Sequence, residues 1–204
     1  MATLIMDGQA HSGTKPLKTL GDLVAEADER LAYTGRIVTA LRLDGVDEPA
    51  FREPQVVSQS TARYTRVEID SGTPADLAAR CLVEAGTALH SLAEAADTVA
   101  MLYRVGEIDE ANRELAAITE GIGTALAITG AASLGLGVDL GALVTSEGTL
   151  GALPAATTRE LEGLIAAQLA SDWEAAADLL DAGLSPVLRQ WSAACSVLAP
   201  CNAR

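Results

Sequence analysis

The chain has 204 residues, 49% of them hydrophobic and 21% charged, with a net charge of −14 and only 3% aromatics. Such a balance excludes a disordered polypeptide and calls for cores of Leu, Ile, Val and Ala. The acidity is uneven: residues 1–72 hold 11 acidic and 8 basic side chains, residues 73–204 hold 17 and 6. A strongly acidic second half repels phosphate backbones, which excludes nucleic acid as a partner.

Residues 3–6 read as a short strand, Asp7–Gly8 as a hairpin turn, and residues 9–12 as its return strand. Thr19 with Asp22 three residues on marks a helix start. Leu20, Leu23, Val24, Ala27 and Leu31 follow at helical spacing, and Gly35 ends the helix. Residues 37–43 alternate as a strand and Asp44–Gly45 turns the backbone. Residues 46–55, with Pro49 and Pro54, read as irregular; Val56–Val57 reads as a brief strand and 65–70 as the last one.

At Ser71–Gly72–Thr73–Pro74 the pattern changes from β-runs to long Ala/Leu-rich helix. Thr73, Pro74 and Asp76 form a strong helix start. Leu77, Cys81, Ala85, Ala88, Leu92, Ala95, Val99 and Leu102 then give the expected buried stripe, and Gly106 stops the helix. A second stripe runs through Ile108, Ala111, Leu115, Ile118, Ile122, Ala125 and Thr129. So short a connection makes these two helices antiparallel. Residues 130–154 are punctuated by glycine and read as part helical extension, part loop. Thr157 or Thr158 caps a third helix carrying Leu161, Leu164, Ile165 and Leu169. The fourth runs from Trp173 through Ala177, Leu180, Leu184, Val187, Trp191 and Ala194 to Leu198, with a kink expected at Pro186.

The fold class expected is therefore α+β: a small ββαββ domain over residues 1–72, then an antiparallel four-helix bundle over 73–204 with a Gly-rich segment at 130–154. The run 122–144 carries a single charge, Asp139. It reads as bundle helix rather than membrane span, since a mid-span Asp costs about 2.5–3.5 kcal/mol on insertion scales. No membrane partner is expected. Three cysteines without a CxxC pair, and an N-terminus that turns polar by Asp7, point to a reducing cytoplasm.

Catalytic signatures fail one by one. Gly135–Leu136–Gly137 through Gly141 has the wrong spacing for a dinucleotide loop, and neither lysine, Lys15 or Lys18, follows a glycine. His90, Glu94 and Asp97 share a helix face that Glu110 and Glu114 could oppose, but the Glu-x-x-His pairing of bundle metal sites is missing. No G-x-S-x-G occurs, and Cys81 on the apolar stripe reads as an inert core thiol. No cofactor is expected. The apolar side chains Leu136, Val138, Leu140, Leu143 and Val144 sit on the Gly-rich stretch and must be covered by something. With Trp173 and Trp191, whose residue type is enriched at interfaces, they are the expected partner-binding set.

The order strand, strand, helix, strand, weak strand, strand over the first seventy residues resembles a β-grasp (ubiquitin-like) module. That resemblance implies a mixed sheet around one helix and a protein-binding role. Asp172–Trp173–Glu174, Leu179–Leu180, Leu184–Ser185–Pro186 and Trp191 resemble the last helix of uncharacterised bacterial two-part proteins. The layout of the second half is similar to flagellin-type export chaperones, which implies an adaptor or chaperone-like, non-enzymatic role with a protein or peptide partner. A structural homo-oligomer, including a homodimer, and a metal-dependent enzyme built around His90 are the alternatives.

Overall fold

A computed structural model of the protein describes residues 3–11, 17–137, 139, 142, 144–145, 148–149 and 151–198. The fold is mixed α+β, a five-stranded sheet region followed by long helices. It divides into two compact units, Met1–Leu77 and Ala78–Arg204.

In the first unit the elements are β1 (Thr3–Met6), β2 (Gln9–His11), α1 (Leu20–Ala32), β3 (Ile37–Leu43), β4 (Val46–Asp47), α2 (Pro54–Val57) and β5 (Arg66–Gly72). The strand order is β2-β1-β5-β3-β4, with β1 and β5 parallel and the other neighbours antiparallel. Both hairpin turns are Asp-Gly pairs with positive φ at each residue (Asp7 49°, Gly8 77°; Asp44 51°, Gly45 86°), the mirror-image turn that matches strand twist. Thr19 and Asp22 cap α1 reciprocally, at 3.0 and 3.1 Å. Leu20, Leu23, Ala27 and Leu31 of α1 pack on Val38, Leu41, Val67 and Ile69 of the sheet. Alternation puts Arg42, Glu68 and Asp70 on the other face, where Arg42 bonds both carboxylates at 3.0 Å. Val56–Val57, expected as strand, is helical instead: Pro54 occupies the first turn, where its fixed φ and missing N–H favour a helix.

The second unit is built from α3 (Pro74–Val105), α4 (Ile108–Leu136), α5 (Ala152–Leu169), α6 (Trp173–Asp178), a π-helical stretch (Leu179–Leu184) and α7 (Ser185–Leu198); β6 (Val144–Thr145) pairs with β7 (Gly148–Thr149). The start of α3 lies in the first unit, where Thr73 and Asp76 bond each other's free groups at 2.7–3.1 Å. Gly137, with φ +66°, ends α4 in a left-handed cap, so the helix takes up the first third of the Gly-rich segment. α5 begins at Ala152, ahead of the expected Thr157 or Thr158; those hydroxyls donate back to Leu153 O and Pro154 O inside the helix. Ahead of Pro186, where a kink is expected, the last helix widens. Ser185 N–H reaches Leu180 O five residues back, which relieves the clash of the Pro186 ring with the carbonyl four residues before it.

One core unites these helices: Leu82, Leu89, Val99, Ile118, Ile122, Leu164, Leu180, Leu188 and Trp191 are all buried in it. Along α3 the expected stripe holds at Ala85 and Val99, which are buried, with Leu92, Ala95 and Leu102 half-buried against the core; further buried residues, Ala78, Leu82, Leu89, Ala93, Ala96, Ala100 and Tyr103, lie one residue to its side, and Ala88 is exposed. Alanine-rich sequence permits either phase; the long side chains Leu82, Leu89 and Tyr103 decide it. Close approach of α3 to α7 accompanies this choice, with Ser185 Oγ donating to Ala93 O at 3.2 Å and Ser192 Oγ to Gly86 O at 2.7 Å. α4 is long and apolar enough to cross a membrane by composition (mean hydropathy 1.4 in its most apolar window), and its inner residues Ala111, Leu115, Ile118 and Ile122 belong to this shared core.

Candidate functional site

Between α4 and α5 lies a cleft of about 260 Å³. Leu115 and Leu164 form its floor from the core side, while Ala116 and Thr119 are short enough on α4 to leave room opposite Leu161 and Ile165 of α5. Ile165 is 56% exposed and Leu169, one turn on, is 84% exposed. Solvated aliphatic groups of this kind, side by side on one helix, mark a surface that gains free energy when covered.

A hydrogen-bonded triad closes one end of the cleft. The buried Tyr103 hydroxyl donates to Asn112 Oδ1 at 2.7 Å and accepts from Gln168 Nε2 at 3.0 Å; Gln168 Nε2 also reaches Asn112 Oδ1 at 2.8 Å. Tyr103 comes from the end of α3, Asn112 from the start of α4 and Gln168 from the end of α5, so three helix termini are tied at one point. The Tyr103 ring stacks on Trp173 with centroids 5.5 Å apart and planes 12° from parallel. Burial raises the Tyr103 pKa, partly offset by the Gln168 hydrogen bond, which keeps the phenol a neutral donor. Asn112 Nδ2 and Gln168 Oε1 have no hydrogen-bond partner among the described residues. Both residues line the cleft. Its lining is aliphatic groups, one hydroxyl and two amides, a set that binds by contact and hydrogen bonding.

The expected partner-binding residues are dispersed. Trp173 stands beside the triad through its stack on Tyr103, half-buried. Trp191 is corrected to a core residue: at 1% exposed it fills the helical interior and has no surface to offer. Leu136 is half-buried against the core, whereas Leu134, which the sequence pattern does not single out, is 86% exposed. Val144 lies in β6 with its side chain outside the described residues, as are Val138, Leu140 and Leu143.

His90, Glu94 and Asp97 do not form a ligand set. His90 Nε2 lies 3.7 Å from Glu94 Oε1 on open surface, and the Asp97 carboxylate is taken by Arg189 of α7. Among the described residues no three His, Cys, Asp or Glu side chains could hold a metal ion together. Cys81 sits at the margin of the core rather than on the buried line, and Cys195 is buried.

The cleft escapes sequence reasoning because Leu161, Leu164, Ile165 and Leu169 read together as one buried stripe. The available signal is width: Ile165 lies about 100° round the helix from Leu164, too far for both to face a core whose other fully buried α5 residues are Thr157 and Ala167. Comparison with protein-family models, with curated proteins and with solved structures returns no match.

Proposed function

We propose that this protein is a non-enzymatic interaction module, adaptor or chaperone-like, working in a reducing cytoplasm, and that it holds a protein or peptide partner in the α4–α5 cleft. The observation that carries the reading is the pairing of exposed Ile165 in the cleft, with exposed Leu169 one turn beyond it, with amide groups lining the same cleft that lack hydrogen-bond partners among the described residues. In this reading the helical half is an antiparallel four-helix bundle. Opposed contacts support it: Tyr103 with Asn112, Asn112 with Gln168, Gly163 with Leu179, and Gly86 with Ser192 all join neighbours whose numbering runs in opposite directions. The first 72 residues are a β-grasp module, supported by the central parallel β1–β5 pair and the single long helix across one sheet face. Its open face is a lattice of Arg42, Arg66, Glu68 and Asp70 ion pairs, well solvated, so the main contact surface is assigned to the helical half.

Selection of random peptides displayed on phage against the intact protein tests this. Enriched peptides whose binding is abolished by Ile165→Glu, in a variant with unchanged helicity and melting temperature, support the reading. No enrichment, or enrichment indifferent to that change, removes it.

A second reading, self-association, has its own observation. From Gly121 to Leu136 α4 has no charged residue, and Leu126 and Leu134 on it are exposed. Sedimentation equilibrium at micromolar concentration decides: a strict monomer eliminates it.

A further inference from the structure

The polar end of the cleft limits what can enter it. Asn112 Oδ1 accepts both of the bonds described, from Tyr103 and from Gln168, which leaves Asn112 Nδ2 as a donor and Gln168 Oε1 as an acceptor. Turning both amides over exchanges these roles and still leaves one of each. Neither group is among the sealed, unsatisfied polar atoms of the core, where Trp191 Nε1 stands alone among the described residues. They are therefore open to an incoming group.

A donor and an acceptor on two bonded amides at one end of the cleft match a partner that offers the converse pair. One residue of an extended polypeptide does so, because its N–H and C=O point to the same side, as they do when strands exchange both bonds. Ions fit poorly: no ionisable side group lines the cleft, so a charge would shed water for neutral groups only. The volume of about 260 Å³ lies below the roughly 300–1,000 Å³ of small-molecule pockets, and suits one amino-acid side group better than a cofactor. Ile165 and Leu161 favour an apolar group there, and the small volume favours an aliphatic one.

We infer that the cleft receives an uncharged stretch of extended polypeptide: the backbone C=O of one residue accepts from Asn112, its N–H donates to Gln168, and its aliphatic side group lies against Ile165. The inference rests on the proposed binding role of the same cleft and names what that role recognises. Backbone reading of this kind gives tolerance of sequence with a demand for uncharged, unfolded segments.

The test is an NMR titration of the intact protein, observing the side-chain amides of Asn112 and Gln168 and the methyls of Ile165. The probe is the capped pentapeptide acetyl-Ala-Ala-Leu-Ala-Ala-amide. Its control is the same molecule with the leucine N–H replaced by an ester oxygen. The expected result is saturable shifts at all three residues, with about two- to tenfold weaker binding of the ester, the range one hydrogen bond supplies. Asn112→Asp retains the oxygen that Tyr103 and Gln168 use and turns the free donor into an acceptor facing a carbonyl, so binding falls about tenfold or more. Equal affinity of peptide and ester, undiminished in Asn112→Asp, overturns the inference while the binding role stands. Absence of shifts at saturating pentapeptide also overturns it, and the phage selection then decides the broader reading separately.

Discussion

Ser192 Oγ donates to Gly86 O at 2.7 Å, and a methyl group placed on Gly86 would lie 3.1 Å from the Ser192 carbonyl and 3.2 Å from Cys195 Cβ. α3 and α7 approach closely at this contact, and any side chain at position 86 makes its neighbours give way by a few tenths of an ångström. Gly86→Val is predicted to destabilise the helical unit by about 1–3 kcal/mol, the usual cost of overpacking. Gly123, mid-helix in α4, has open space where a methyl would go, so Gly123→Ala is predicted to stabilise by about 0.5–1 kcal/mol through helix propensity. Both tryptophans lie in the helical unit, so urea unfolding followed by tryptophan fluorescence reads each change there.

Tyr103→Phe removes the hydroxyl that joins α3 to Asn112 and Gln168 while keeping the ring stacked on Trp173. The predicted loss is about 0.5–1.5 kcal/mol. Because the stack survives, the Trp173 emission of the folded state stays unchanged; a large spectral shift would mean that the hydroxyl positions the ring.

Acid sensitivity follows from four aspartates held below the ordinary carboxylate range. Hydrogen bonds from threonine hydroxyls are the main cause at Asp22 (Thr19), Asp44 (Thr65) and Asp76 (Thr73). At Asp7 burial pushes the other way, but the Ser71 hydroxyl and amide, with Arg36, outweigh it. A depressed folded pKa means the unfolded state binds protons first. The contribution is then complete above the unfolded value near pH 4 and is lost as pH falls toward the folded values. Melting temperature against pH, by circular dichroism, is predicted to turn down below about pH 4. Asp44→Asn, whose residue type tolerates the positive φ of 51°, flattens that decline. A decline beginning near pH 6 would point to histidine and contradict this account.

Burial pushes the Cys195 thiol up to about 11. At pH 8 the folded protein is predicted to leave Cys195 unmodified by iodoacetamide, and urea to expose it, as read by peptide mass spectrometry. Rapid labelling of Cys195 in the folded state would mean the α3–α7 contact opens readily.

Much of the fold is legible in residues with a single local meaning. Thr19 with Asp22, Thr73 with Pro74 and Asp76, and the two Asp-Gly turns each encode one backbone geometry, and each lies where the sequence places it. Where the residue type is permissive, the sequence decides less. The alanines of α3 allow neighbouring stripes that share Ala85 and Val99, and only packing against α4 and α7 sets the buried line between them. Pro186 signals interruption without saying that a wider turn precedes it. The candidate site is the least legible part, because its features are relational. Asn112 and Gln168 are 56 residues apart and acquire meaning only when α4 and α5 bring them to 2.8 Å. Ile165 looks like core until Leu164 takes that place.

The central claim is that a partner segment lies in the α4–α5 cleft. Isotope-filtered NOE spectroscopy of the intact protein with a phage-selected peptide measures this directly. The account predicts intermolecular NOEs from a peptide side group to the Ile165 methyls and the Thr119 methyl. NOEs confined to the β1–β5 sheet region, or to Leu126 and Leu134 on the far part of α4, would contradict it.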